Sequence, residues 1–195
     1  MPLATTFLNR LLPPLGAGIL LGLCAPPLSA DDNTVDQDSA ANYVVTQADD
    51  FVVDVYHNGK VVPDDCRHML TETFGATSER IDLRIMHGDW LVFHVVNDRL
   101  RWGGCSYFAV AGLFEKNEFG FVSDASSGAW SACDNPSHAA KLVSRKNFMA
   151  GCPAQRIANP WSDGLRLVKQ QAGDSWSGDP IWGCTRDTWL KFIVP

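Results

Sequence analysis

Residues 51–62 read Phe-Val-Val-Asp-Val-Tyr-His-Asn-Gly-Lys-Val-Val. The runs on both sides of Asn58-Gly59 are rich in β-branched and aromatic residues, which is the composition of strands. Asn-Gly between two such runs is the strongest short-range signal for a β-hairpin, because both residues tolerate the positive φ that the tight turn requires. The segment therefore predicts an antiparallel hairpin, and it begins a chain built mainly from strands.

Strand patterns recur along the rest of the chain. Ile81, Leu83 and Ile85 alternate with polar residues, and the apolar run Trp90–Val96 has the length of a core strand. Further strands are predicted at residues 43–46, 106–114, 119–123 and 188–194, with a polar connection at 63–72 and at most one short helix, within 137–148. Many short strands separated by turns indicate an all-β antiparallel sandwich or barrel. For a two-sheet sandwich, the predicted core is Ile81, Leu83, Ile85, Phe93, Val95, Phe108 and Val110.

The first thirty residues have the composition of a secretory signal peptide. They carry one charge, Arg10, then an apolar stretch and small residues before an acidic run. The apolar stretch is shorter than the ~20 residues that span a bilayer, and prolines interrupt it, which argues against a membrane anchor. We therefore predict a secreted or periplasmic protein with a signal peptide at 1–30, a flexible acidic leader at 31–42 and one domain at 43–195.

Composition excludes some classes of partner. The chain has 195 residues and a formal net charge of −6, which argues against a nucleic-acid binder and against electrostatic docking on an anionic membrane. No segment after residue 30 is apolar enough to span a membrane. The sequence also lacks a Gly-x-Ser-x-Gly nucleophile motif, a phosphate-binding loop and a dinucleotide fingerprint.

Five cysteines remain after residue 30, so at most two intrachain disulfides can form. A hairpin that turns at residues 115–118 would place Cys105 opposite Gly128, close to Cys133, which predicts a Cys105–Cys133 bridge. Elimination then suggests Cys152–Cys184 as the second bridge. Cys66 is left over, either as a free thiol or in a bond between chains.

Several short motifs follow one another in a particular order between residues 43 and 195. They are Ala48-Asp49-Asp50-Phe51, the Asn58-Gly59 hairpin, Gly88-Asp89, Gly103-Gly104, Ser123-Asp124 ahead of Trp130, Asn159-Pro160-Trp161, and Trp189-Leu-Lys-Phe192. Their order resembles that of galactose-binding-like jelly-roll domains, although a Cys-bearing insert between Trp130 and Pro160 departs from that family. The resemblance implies a jelly-roll sandwich with irregular Trp-rich loops, mostly binding carbohydrate and sometimes holding a structural Ca²⁺. Fold alone does not establish function.

Tryptophans in the Gly-, Ser- and Pro-rich segments are the candidate ligand-binding residues. Indole rings pack against the C–H faces of sugars, and Asp carboxylates accept hydrogen bonds from sugar hydroxyls. The alternative is that each ring packs its own loop onto the core, because Trp is highly buried on average. The predicted carbohydrate site consists of Trp130, Trp161, Asp163, Trp176, Asp179 and Trp182. Asp49 and Asp50 are the candidate calcium ligands, with a solvated turn as the alternative.

Two other functions stay open at this point. A secreted polysaccharide-active enzyme would use paired carboxylates or a metal held by imidazoles. The carboxylates available are Glu115, Glu118 and Asp124, and the imidazoles are those of His57, His68, His87 and His94. Alternatively, a structural or assembly protein would pair its leader, residues 31–47, with the sheet edge of a neighbour.

Overall fold

The computed structural model describes residues 41–73, 76–97, 106–114, 118–150, 152–157, 165, 168–170 and 177–195. The described residues belong to one compact unit, Asp31–Pro195. No helix among them is both long and apolar enough to cross a membrane. The predicted signal peptide and residues 31–40 of the predicted leader lie outside the described part of the chain.

Strands make up most of the described chain. In chain order they are β1 (Ala41–Asp49), β2 (Phe51–His57), β3 (Lys60–Val61), β4 (Arg67–Thr73), β5 (Ala76–Ile81), β6 (Trp90–Val96), β7 (Phe108–Phe114), β8 (Glu118–Val122), β9 (Trp130–Cys133), β10 (Cys152–Pro153), β11 (Gln155–Arg156), β12 (Ile181–Trp182) and β13 (Asp187–Ile193). The first sheet has the order β11-β12-β7-β1-β5-β4, and β8 also pairs with β7. The second sheet has the order β10-β9-β13-β6-β2-β3. All described pairs are antiparallel, which confirms the predicted all-β two-sheet fold.

The main core lies between the two sheets and follows from alternation along the strands. Side chains on one face of β1, such as Val44, belong to this core, whereas Val45 lies in a separate cluster on the outer face of the first sheet. All seven predicted core residues belong to the main core, with Leu83 packed at its border. The Asn58-Gly59 hairpin is also confirmed, because both residues have positive φ, 51° and 80°.

Two predicted segments differ in the structure. β5 ends at Ile81, and Ile85 makes only an isolated bridge. The backbone N–H of Asp82 still donates to the carbonyl of Cys66 (2.9 Å), one step beyond the pairing of Arg67 with Ile81. Residues 63–72, predicted as a polar connection, contain most of β4. This strand lies at the edge of the first sheet, where one face and one side are open to solvent, so it lacks the apolar alternation that marks a half-buried strand.

A helix, α1 (Pro136–Ser144), covers the outer face of the second sheet. Asn135 caps its first turn by accepting a hydrogen bond from the N–H of Ser137 at 2.9 Å. The buried face of the helix, Ala139 and Leu142, packs against apolar side chains of β6, β9 and β13. Residues 168–170 form a second short helical segment, where the sequence predicted at most one helix.

The end of α1 is held by a buried lysine on β13. Lys191 is fully buried, and its Nζ donates to the carbonyl oxygens of Leu142 (3.0 Å), Arg145 (2.6 Å) and Phe148 (2.9 Å). These are the carbonyls of the helix C-terminus and the turn after it, which have no partner within the helix. Burial lowers the pKa of Lys191 to about 8.

An arginine joins the two sheets at their shared edge. Arg67, on β4 of the first sheet, donates to both carboxylate oxygens of the buried Glu79 at 3.1 and 3.0 Å. It also donates to the carbonyls of Val52 (2.7 Å) and Val53 (2.9 Å) on β2 of the second sheet. The side chain therefore occupies acceptors of a strand edge that would otherwise be free to pair with another chain.

Strand β1 is an interior strand of the first sheet. It pairs with β5 through residues 44–49 and with β7 through residues 41–48. Because both of its edges are occupied, residues 41–47 are not free to add to a neighbour's sheet. The predicted strand-addition segment is therefore wrong for those residues, and residues 41–42 belong to this strand.

Candidate functional site

Three segments meet at one end of the first sheet. The N–H of Asp179 donates to the carbonyl of Ser123 at 2.7 Å, and the N–H of Ile157 donates to the carbonyl of Pro180 at 3.0 Å. Arg156 on β11 forms an ion pair with Asp179, with 2.9 Å between Nη2 and Oδ1. The described residues that flank segment 158–176, Arg156-Ile157 on one side and Asp179-Pro180 on the other, are therefore held side by side.

The Arg156–Asp179 pair is open to solvent. The exposed fractions of the two side chains are 70% and 26%. A guanidinium offers hydrogen-bond donors in a fixed fork, and a carboxylate offers acceptors, so together they match the alternating donors and acceptors of sugar hydroxyls. Among the predicted site residues, Asp179 is the one that the structure places at an accessible polar position.

Two of the tryptophans predicted to bind carbohydrate are buried, so their assignment to the site is wrong. Trp130 is 3% exposed, its ring stacks on Phe192 with 4.8 Å between centroids, and its Nε1 donates to the carbonyl of Val122 at 3.2 Å. Trp182 is also 3% exposed, and its Nε1 donates to the carbonyl of Thr185 at 2.7 Å. Both rings lie in the main core because they occupy inward positions on short strands, β9 and β12, which the irregular sequence around them conceals.

The other three predicted residues, Trp161, Asp163 and Trp176, lie outside the described part of the chain. Two of them are close in sequence to the described residues that flank the segment. Trp161 follows Ile157 by four residues, and Trp176 precedes Pro180 by four residues.

The candidate calcium ligands are both partly enclosed. Asp49 accepts a hydrogen bond from Asn97 Nδ2 at 2.7 Å, and the same amide donates to Ser106 Oγ at 3.0 Å. Asp50 is 6% exposed and has a φ of 67°. Burial, and next the charge of Asp50, raises the pKa of Asp49 to about 6. A hard cation would favour the ionised carboxylate and reverse this shift. Calcium at Asp49 and Asp50 stays a prediction.

One of the three carboxylates considered for catalysis, Asp124, has a structural role. Asp124 caps the 3₁₀ turn Ala125–Ser127, and one of its oxygens accepts from the N–H (2.8 Å) and the hydroxyl (2.6 Å) of Ser126. These hydrogen bonds hold its pKa below the ordinary value. A general acid needs a raised pKa, so Asp124 is unsuited to that role. Glu115 and the side chain of Glu118 lie outside the described part of the chain.

The candidate metal-binding histidines have separate partners. His57 contacts Asp89 at 2.8 Å, and His68 contacts Asp82 at 3.1 Å. In the part of the chain that the structure describes, no three ligand atoms that include a histidine come together. His87 lies in the exposed turn before β6. The geometry does not assemble the imidazole metal site that an oxidative enzyme would need.

His94 links three strands of the second sheet. Its Nδ1 lies 3.3 Å from Asp54 on β2, its Nε2 lies 2.6 Å from Asp187 on β13, and its ring stacks on Trp189 at 4.2 Å. The residue is thus a cross-strand link rather than a metal ligand. Sequence reasoning missed it because the two carboxylates are 40 and 93 positions away along the chain.

The predicted disulfide assignment is wrong at its first pair. Cys133 is a free, buried thiol, whereas Cys66, predicted to be left over, is disulfide-bonded. Cys105 lies outside the described residues. Ala111 lies opposite Val122 as the predicted register requires, but a β-bulge between Gly112 and Leu113 shifts the pairing near the turn, where Phe114 lies opposite Glu118. After this hairpin the chain crosses to the second sheet, where Cys133 lies under α1, so it does not stay beside β7.

The second predicted pair is brought together. The Sγ atoms of Cys152 and Cys184 lie 3.4 Å apart, and both residues are free thiols in this structure. Asp134 completes a group in which one ligand atom of each residue lies within 4.8 Å of the others, the only such group found among the described residues. Neither residue spacing nor a CxxC motif signals this arrangement.

The arrangement thus consists of a two-sheet sandwich, an exposed ion pair at one end of the first sheet, and two thiols whose sulfurs lie 3.4 Å apart. Comparisons of the chain with models of known families, with curated proteins and with solved structures found no match.

Proposed function

We propose that the mature chain is a secreted, non-catalytic β-sandwich module that binds carbohydrate. The site consists of Arg156 and Asp179 together with Trp161, Asp163 and Trp176 of the adjoining segment. The observation that supports this proposal is that the described residues flanking segment 158–176 meet at the solvent-exposed Arg156–Asp179 pair. The ion pair supplies polar contacts to hydroxyls, and the tryptophans supply apolar surface for sugar rings.

The distribution of polar side chains supports binding rather than catalysis. Asp124 is engaged in a helical cap, and His57, His68 and His94 are engaged by aspartates. The net charge of −6 disfavours anionic polysaccharides through repulsion, so the expected ligands are neutral or amino sugars. The same charge disfavours nucleic acid as a partner.

The test is a glycan array with the protein lacking residues 1–30, in the presence and absence of Ca²⁺. The expected result is binding to neutral or amino glycans with no release of product from the polysaccharide that binds best. Asp179→Asn and the double variant Trp161→Ala/Trp176→Ala should each lower the affinity at least about tenfold, which corresponds to about 1.4 kcal/mol.

A matched control separates loss of the site from loss of the fold. Phe51 is an aromatic residue on β2 of the second sheet and is 41% exposed. Phe51→Ala removes a surface ring from the sheet that does not carry Arg156, and it should leave glycan binding unchanged. The proposal is wrong if no glycan binds, or if Asp179→Asn and the double tryptophan variant bind as tightly as the unmodified protein.

A further inference from the structure

Two thiols meet where the chain crosses between the sheets. Cys152 lies on β10, opposite Ala132 of β9, in the second sheet. Cys184 follows β12 of the first sheet, and its backbone N–H donates to Asp134 Oδ2 at 3.0 Å. Asp134 comes directly after β9, so both cysteine backbones are anchored to the same short stretch of chain. The anchoring explains why two residues 32 positions apart have their sulfurs in contact at 3.4 Å.

We infer that Cys152 and Cys184 form a disulfide in the mature protein, and that this bond holds the Arg156–Asp179 pair in place. The S–S bond length is ~2.05 Å, so the sulfurs, now 3.4 Å apart, must approach by roughly 1.4 Å to form the bond. The other described free thiol, Cys133, is 3% exposed and its sulfur donates to the carbonyl of Asn135 at 3.4 Å. It is enclosed beneath α1 and is the odd cysteine of the mature chain.

Bond formation is a thiol–disulfide exchange with an oxidised dithiol oxidoreductase of the export compartment. Cys184 is the more exposed thiol and is the one that the oxidoreductase can reach, although the hydrogen bond with Cys152 raises the pKa of Cys184 to about 11. After losing its proton it attacks and forms a mixed disulfide, releasing one thiolate of the oxidoreductase. The Cys152 thiolate then displaces the second sulfur. The two cysteines lose two protons and two electrons, and the disulfide of the oxidoreductase is reduced to two thiols.

The neighbouring strands explain what the bond does. β11 and β12 have two residues each and pair only through Gln155 with Trp182 and Arg156 with Ile181. β12 joins the rest of its sheet through one residue pair, Ile181 with Phe108. Such a short edge opens easily, because few hydrogen bonds hold it. A covalent bond between the residues flanking these strands limits that opening and keeps Arg156 beside Asp179.

The first experiment tests the bond independently of any ligand. The protein is exported to an oxidising compartment, its free thiols are blocked with N-ethylmaleimide, and it is digested with trypsin without reduction. The expected product is tryptic peptide 147–156 joined to peptide 170–186, two hydrogens lighter than the separate thiol peptides. The inference is overturned if both peptides appear singly with maleimide attached, or if the two thiols retain zinc instead.

The second experiment tests the consequence, and this part depends on the carbohydrate-binding function proposed above. Because Cys184 is exposed, Cys184→Ser should fold even if the double variant Cys152→Ser/Cys184→Ser does not. Both variants should be cleaved by trypsin after the exposed Arg156 several-fold faster than the unmodified protein and should bind glycan more weakly. Reductant should have the same effects on the unmodified protein. In the two variants, reductant can break only the disulfide of Cys66, so its effect there measures the contribution of that bond alone.

The two proposals fail in different ways. Joined peptides without glycan binding in any form would leave the disulfide standing and refute the carbohydrate function. Glycan binding with separate, labelled peptides would refute the disulfide alone. Joined peptides with equal cleavage after Arg156 in the variants and the unmodified protein would refute the role of the bond in holding the Arg156–Asp179 pair.

Discussion

Replacing Lys191 by methionine is expected to destabilise the protein by about 2–4 kcal/mol at pH 7. Methionine retains most of the apolar stem but cannot donate a hydrogen bond. The carbonyls of Leu142, Arg145 and Phe148 would each lose a donor that now lies at 2.6–3.0 Å. The bond to Leu142 is fully buried, so its loss costs about 1–3 kcal/mol, whereas water can partly replace the other two.

The pH dependence of this difference is the sharper part of the prediction. The pKa of Lys191 is lowered by burial from 10.5 to about 8, so between these values the unfolded chain holds a proton that the folded chain has lost. Stability rises with pH wherever the unfolded state binds more protons. The contribution of Lys191 is therefore fully present above pH 10.5 and is lost as the pH falls through 8. The stability difference between the two proteins should widen by up to about 3 kcal/mol between pH 7 and pH 10.

The assay is urea unfolding followed by tryptophan fluorescence at several values of pH between 7 and 10, with free energies compared at each pH. Other groups that titrate in this range are common to both proteins and cancel in the difference. Lys141→Met is the matched control, because Lys141 is an exposed lysine in the last turn of the same helix. It should change stability by no more than about 0.5 kcal/mol at any pH. A Lys191→Met variant as stable as the unmodified protein, or a difference that does not widen with pH, would refute the reasoning.

Three further substitutions test other contacts, each by urea unfolding. The pKa of Asp49 is about 6 in the folded protein against 3.8 in the unfolded chain, so Asp49 favours folding below pH 3.8 and loses this contribution as the pH rises through 6. After allowance for partial solvent screening, Asp49→Asn should be about 1–2 kcal/mol more stable than the unmodified protein at pH 7 and no more stable at pH 3.5. Equal stability of the two proteins at pH 7 would contradict this prediction. Gly112→Ala should cost about 1–3 kcal/mol, because the added Cβ would collide with the Phe121 ring, and a neutral result would show that the ring moves freely. Arg67→Met should cost about 3–5 kcal/mol by leaving the buried Glu79 carboxylate without its ion-pair partner. Adding Glu79→Gln to Arg67→Met should recover part of that loss. A double variant no more stable than Arg67→Met would show that the unpaired carboxylate is not the cause.

Local features of the sequence were sufficient to predict the strands with a clear period. Trp90–Val96 is a strand over the predicted residues, and the Asn58-Gly59 turn has the positive φ values that the residue types require. Counting outwards from the turn located the hairpin of β7 and β8, but it did not reveal the β-bulge between Gly112 and Leu113 that sets the pairing of Ala111 with Val122. Such predictions succeed because strand alternation and turn chemistry depend on residues that are adjacent in the chain.

Edge and linker strands were harder to predict for a physical reason. β4 has an exposed side and an exposed face, so nothing requires its residues to alternate, and β9 and β12 are too short for a period to be visible. These segments are strands because they form hydrogen bonds with adjacent strands of their sheets. The same short strands carry Trp130 and Trp182 into the core, which is why composition alone wrongly placed both rings on a ligand surface.

The contacts between distant segments were decided only by the tertiary structure. Which cysteines meet depends on the sheet to which each short strand is added. Cys133 and Cys152 lie on adjacent strands, β9 and β10, but the sulfur of Cys152 lies beside that of Cys184. The site at Arg156 and Asp179 arises in the same way, from two segments that the fold brings together across 23 positions. Periodicity in the sequence specifies which face of a strand is buried, but the order of strands in a sheet depends on the packing of the whole chain, and that order determines which polar side chains become neighbours.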